Sequence, residues 1–85
     1  MLAVVKIFEY NFNVGVAVAA DDWENAYEIA EGLVLDEFES QGVSISGDTK
    51  MIQEIQERLR NENYYHIACG EPGKSVAVQI IGVET

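Results

Sequence analysis

The chain has 85 residues, 48% of them hydrophobic, and a formal net charge of −10. That length holds one domain, spanning 1–85, and the apolar share excludes a disordered acidic tail. The charge repels nucleic acid and anionic membrane and draws in basic surfaces, which excludes direct nucleic-acid binding and a membrane-surface role. It is also segregated: residues 7 to 49 hold ten acids and no Lys or Arg, whereas from residue 50 onward five acids nearly balance four bases. The single Cys69 cannot form an internal disulfide, which fits a reducing cytoplasm. No secretory signal and no apolar run of about 18 residues is present, so a membrane span is not expected.

Two strand-like runs come first, Leu2 to Tyr10 and Asn13 to Ala20, separated by the turn-prone Asn11 and Asn13. A hairpin in which Tyr10 pairs with Asn13 places Val5, Ile7, Val16 and Val18 on one face, expected to be core. Val4, Lys6, Phe8, Gly15, Ala17 and Ala19 then share the other face. A long helix starts at Asp21 or Asp22, where Asp21 and Glu24 have the form of a capping box. Its core stripe is Trp23, Ala26, Tyr27, Ala30, Leu33, Val34 and Phe38. Gly32 weakens that helix and is a candidate break.

Residues 41 to 47 are turn-rich, with an extended piece expected at Val43 to Ile45. A second helix follows from Asp48 to Asn61, and its narrow seam of Met51, Ile52, Ile55 and Leu59 predicts a peripheral position. Strands from Tyr64 to Cys69 and from Ser75 to Val83, joined by a turn at Pro72-Gly73, close the chain. The fold class expected is therefore α+β: a ββααββ domain whose four-stranded, mainly antiparallel sheet carries helices on one face.

The segment Gly70-Glu71-Pro72-Gly73-Lys74-Ser75 imitates the end of a phosphate-binding loop. Only two residues separate its glycines where four are needed to wrap a phosphate, and it opens a strand rather than a helix. A hairpin turn is the better assignment. His66 and Cys69, three apart on a strand, point to opposite faces and cannot share a metal or form a nucleophile–base pair. Asp21-Asp22-Trp23-Glu24 lacks the alternating oxygen ligands and central glycine of a calcium loop. No catalytic residue, metal site or cofactor is expected, and the chain reads as a non-enzyme.

One feature points outward. At 100° per residue, Glu24, Glu28, Glu31, Asp36 and Glu39 fall in one arc of the first helix opposite its core stripe, with Leu35 in the middle. The same sign continues into Asp21 and Asp22. Carboxylates on successive turns lie about 5 to 6 Å from one another along such a face, near the spacing of backbone phosphates. The candidate partner-binding set is thus Asp21, Asp22, Glu24, Glu28, Glu31, Leu35, Asp36 and Glu39, with Leu35 as an apolar anchor.

The passage Val16-Ala17-Val18-Ala19-Ala20-Asp21-Asp22-Trp23-Glu24-Asn25-Ala26-Tyr27-Glu28-Ile29-Ala30 resembles the strand-to-helix signature of small mobile-element proteins. The DpnD/PcfM-like group is one such family, and several anti-CRISPR proteins share the style. The resemblance covers about residues 4 to 31. It implies a phage or plasmid origin and action in the bacterial cytoplasm, where small acidic proteins occupy the basic groove of a host nucleic-acid-handling machine. Two functions are weighed, the first on that resemblance and the acidic arc, the second on the apolar residues that both strand faces carry, with acidity then serving only solubility. The first is a non-enzymatic inhibitor of a basic host protein or ribonucleoprotein complex, of anti-CRISPR or anti-restriction type. The second is a module that forms a homodimer through the second sheet face, where Val4, Phe8, Ala17 and Ala19 lie.

Overall fold

Alternating apolar runs, two capped helical segments and a second pair of strands build one antiparallel sheet with a helix layer. The structure, a computed structural model, describes residues 1–8, 13–45, 47–67 and 75–82. The elements run β1 (Leu2–Phe8), β2 (Asn13–Ala20), α1 (Trp23–Ser40), α2 (Thr49–Glu62), β3 (Tyr64–Ile67) and β4 (Val76–Gly82). The sheet order is β2-β1-β4-β3, with every neighbouring pair antiparallel. The first and last strands of the chain therefore lie side by side at the centre. Residues 9–12, Cys69 and the expected turn at 70–74 fall outside the described residues.

The register of the first hairpin differs from expectation. Phe8, not Tyr10, stands opposite Asn13, and Val4 pairs with Val18. Pairing shifts by one between Lys6, which faces Val16, and Ile7, which faces Val14, leaving Gly15 as an extra residue on β2. This is a β-bulge, and a glycine suits it for a local reason. A Cβ at Gly15 would stand 2.6 Å from Cε2 of Phe8, so the ring occupies the space a side chain would need. The helix-facing rows are consequently Leu2/Ala20, Val4/Val18/Ile80 and Lys6/Val16/Val78. Val5 and Ile7 turn to the other face, opposite Ala17 and Val14. The expected core set of Val5, Ile7, Val16 and Val18 is thereby split between the two sides.

Each helix is set by its caps. Asp22 is the N-cap of α1 and its side chain accepts from the Asn25 backbone N–H at 2.8 Å. Asn25 Oδ1 in turn accepts from the Asp21 backbone N–H. The cap is therefore Asp22, one residue later than the Asp21/Glu24 box expected, and the Asn25 side chain reaches back past it to Asp21 rather than closing a reciprocal box. α1 runs unbroken through Gly32. It ends in a Schellman motif: Val43 N–H donates to Phe38 C=O and Gly42 N–H to Glu39 C=O, with Gly42 at φ +80°. This closure turns Val43–Ile45 away from any strand. Asp48 caps α2 by accepting from Met51 N–H, and Asn63, in the left-handed region, ends it.

The core lies between the sheet and α1. Val4, Val78, Ile80, Tyr65 and Ile67 of the sheet meet Ala26, Ala30 and Val34 of α1 and Ile55 and Leu59 of α2. Small residues at 26 and 30 let α1 approach closely, while the narrow seam of α2 leaves it at the β3 side, packed against α1. Trp23, expected in the core stripe, is 46% exposed at the first position of α1. Glu37 takes a buried place instead, at 8%. Its Oε2 accepts from Lys6 Nζ at 2.6 Å, which ties α1 across β1 on the covered face.

Candidate partner-binding surface

α2 docks along one flank of α1 and divides the acidic arc. Glu31 accepts from Gln56 Nε2 at 2.8 Å, and Glu24 meets Arg60 Nη2 at 3.4 Å. Both carboxylates thus face α2, although the Glu24 side chain remains 74% exposed, so its pairing with Arg60 contributes little. Arg60 also lies over the Tyr27 ring, 4.9 Å from its centroid, and Tyr27 stacks obliquely on Trp23. Asp21, Asp22, Glu28, Asp36 and Glu39 are exposed. Of these, Asp22 is also engaged in capping. The eight residues singled out from sequence therefore form not one uniform stripe but an outer row of acids and an inner row that meets α2.

Leu35 belongs to the inner row. It is half-buried and packs against the core cluster. It also floors a cavity of about 360 Å³ between the C-terminal half of α1 and the connection to α2. Val43, Ile45 and Ile52 supply the remaining apolar wall, and Asp36 and Glu39 stand on the rim. Val43 is 44% exposed, which leaves the cavity open to solvent. Leu35, Asp36 and Glu39 are brought together here with three residues that were not singled out as site residues. Ile52 was legible only as part of a core seam. Val43 and Ile45 reach the cavity because the Schellman turn folds the chain back beside α1, and no periodicity crosses such a turn.

The buried Glu37 and the outer acids differ in their charged partners. Burial pushes the Glu37 carboxyl up, but hydrogen bonds from Lys6 and Gln41, the Lys6 charge and a contact from Ser40 outweigh it and hold the group below its ordinary value. Glu37 is a structural carboxylate. The outer acids have no such base: the only base in residues 1 to 49 is Lys6, and it is committed to Glu37. Chemically, the outer row and the cavity can accept a long cationic side chain, its stem on Leu35 and Val43 and its head on Asp36 and Glu39.

Among the described residues no group of three or more potential metal ligands gathers, and no helix is long and apolar enough to cross a membrane. His66 is exposed on β3. Comparison with family models, with characterised proteins and with solved structures finds no significant match. What defines this chain as a class is its own architecture: a small α+β domain with one helix-covered sheet and a one-signed helix.

Proposed function

We propose that the chain is a non-enzymatic inhibitor that binds a basic host protein or ribonucleoprotein complex, of anti-CRISPR or anti-restriction type, by occupying its nucleic-acid-binding surface. The supporting observation is the open cavity with an apolar floor at Leu35 and a carboxylate rim at Asp36 and Glu39. It continues an exposed acidic row that starts at Asp21, Asp22 and Glu28. A helix rises 1.5 Å per residue, so Glu28 and Asp36 stand about 12 Å apart along the axis and Asp36 and Glu39 about 5 Å. A groove evolved for a phosphate backbone offers Lys and Arg at comparable intervals. The acids set the approach rate and its salt dependence, while an apolar stem seated on Leu35 governs dissociation. The resemblance of residues 4 to 31 to mobile-element proteins agrees with a phage or plasmid protein acting in the bacterial cytoplasm.

The test begins with capture of the partner from bacterial lysate and its identification by mass spectrometry. Surface plasmon resonance at two salt concentrations then compares the wild type with Asp36→Lys/Glu39→Lys and with Glu28→Lys. Binding of the double variant is expected to fall at least tenfold at low salt, because each reversal replaces attraction by repulsion. Leu35→Ala is expected to raise the dissociation rate with little change in association. A folded double variant that binds and inhibits like the wild type at both salts would overturn the proposal.

A further inference from the structure

We infer that the sheet face opposite the helices is a dimer interface, and that its occupant is the same face of a second copy. The inference stands apart from the acidic surface and does not rest on it. The bulge at Gly15 and the observed register place Ala3, Val5 and Ile7 of β1 on that side, with Val14, Ala17 and Ala19 of β2 and Ala77 and Ile81 of β4. Neither helix reaches them: the core cluster under the helices contains Val4, Val78 and Ile80 but neither Val5 nor Ala77. Val5 and Ala77 are nevertheless buried, at 8% and 1%, while Val14, Ala17 and Ala19 on β2 are exposed. Across β1 and β2 this surface is small-featured and apolar; Gln79 of β4 and Tyr64 and His66 of β3 stand on the same side and form its polar margin, and the helices cover only the other side of the sheet.

Charge selects the occupant. Every described carboxylate lies in α1, in α2 or in the residues that lead into them, and the open face carries no carboxylate, Lys or Arg among the described residues. A basic partner is drawn to the helix layer, whereas the apolar β1–β2 part of this face can pack on its own copy about a twofold axis. Two copies at −10 each would repel in most orientations. Packed open face to open face, however, the sheets lie about 10 Å apart with each helix layer roughly 10 Å further out. That separates the acidic rows by more than three Debye lengths of about 8 Å at physiological salt.

Strands of 7, 8, 4 and 7 residues for β1 to β4, spaced by about 4.8 Å and rising about 3.3 Å per residue, give a flat footprint near 410 Å² per copy, hence about 800 Å² for the pair. Interfaces of that size fall at the low end of specific association, so the dimer is expected to form in the micromolar range and to exchange.

Sedimentation velocity across micromolar to submillimolar concentrations is the test, at low and high salt. The wild type is expected to dimerise, and to do so equally or more tightly at high salt, where repulsion between the helix layers is screened. Ala17→Glu and Ala19→Glu put a carboxylate on the exposed part of the face and are expected to weaken dimerisation about a hundredfold, since each dimer must then bury two unpaired charges. Circular dichroism verifies their fold, and should one of them unfold the other carries the test. Val16→Lys, on the same strand but the opposite face, is expected to leave the dimer intact. A wild type that stays monomeric throughout overturns the inference, as does a dimer that dissociates with added salt. A dimer that survives both glutamate variants, or one lost equally in Val16→Lys, overturns it too, the latter by showing pairing through the β2 edge.

Discussion

The two faces of the sheet are similar in apolar content but opposite in fate, and the one charged residue of β1 and β2 lies on the covered side. Lys6 shares its row with Val16 and Val78 beneath α1, while the face with no Lys, Arg or carboxylate among the described residues is the one left open. Hydropathy alone ranks these faces the wrong way, because a lysine lowers the apparent burial of its row. What reverses the ranking is a partner: Glu37 on α1 brings the compensating charge, and the long Lys6 stem lies along the core while its head meets the carboxylate. A buried polar residue thus carries more information about which elements meet than the apolar residues around it. Any helix can cover valines; only one placed to deliver a carboxylate can cover Lys6.

The sharpest way to break the contrast is Lys6→Ala, which leaves Glu37 buried without its cation. A loss of about 2 to 4 kcal/mol in chemical denaturation is expected, within the range for stranding one member of a buried pair. Lys6→Met/Glu37→Met is expected to recover most of it, because two apolar residues of similar length fill the same space without desolvated charge. If the single variant is as stable as the wild type, Lys6 does not mark the covered face.

Next in size is Gly15→Ala, which tests the bulge that sorts residues between the faces. The added methyl meets the Phe8 ring at a separation real Cβ atoms do not tolerate, and Lys6 Nζ lies 5.6 Å from the centroid of that ring. A cost of about 1 to 3 kcal/mol is expected from the forced shift. Amide hydrogen exchange should show loosening concentrated in β1 and β2.

The pH dependence sharpens the same comparison from the helix side. Glu37 sits below its ordinary value of 4.5 in the folded protein. Its contribution is therefore fully present above that value and is lost as pH falls through the lowered folded value. Other carboxylates also titrate there, and their protonation relieves repulsion, so the quantity to measure is the difference between wild type and Glu37→Gln. That difference is expected to shrink on acidification below 4.5 and to be constant above pH 6. A constant difference across the whole range would remove Glu37 from the account.

The smallest effect is expected from Gly32→Ala, on the side of α1 turned away from the sheet. The helix is continuous there and a Cβ meets nothing within 4 Å. Stability should rise by about 0.5 to 1 kcal/mol through the reduced entropy of the unfolded chain, which corresponds to a melting temperature several degrees higher. No change in partner binding or self-association should accompany it.

Element type, order and most boundaries were legible in the sequence because their causes are local. β2 begins and ends at Asn13 and Ala20 as its composition requires, Asp48 caps α2 where a capping residue precedes the apolar seam, and the strand-helix-strand order follows from the periodicity of each run. The one-signed charge of α1 was equally plain, since it needs only a count of acids and bases along a helix. Three things were not legible. The hairpin register turned on a single bulged residue, and adding one residue to a strand exchanges its faces without altering its composition. The division of the acidic row into Glu24 and Glu31 beside α2 and Glu28, Asp36 and Glu39 in solvent depended on where α2 docks, which its own narrow seam does not specify. The burial of Glu37 and the cavity over Leu35 required a lysine from β1 and a turn beyond α1 to arrive in space. Local propensity sets what each segment becomes; long-range packing decides which side of it meets the rest of the chain, because that choice depends on residues tens of positions away.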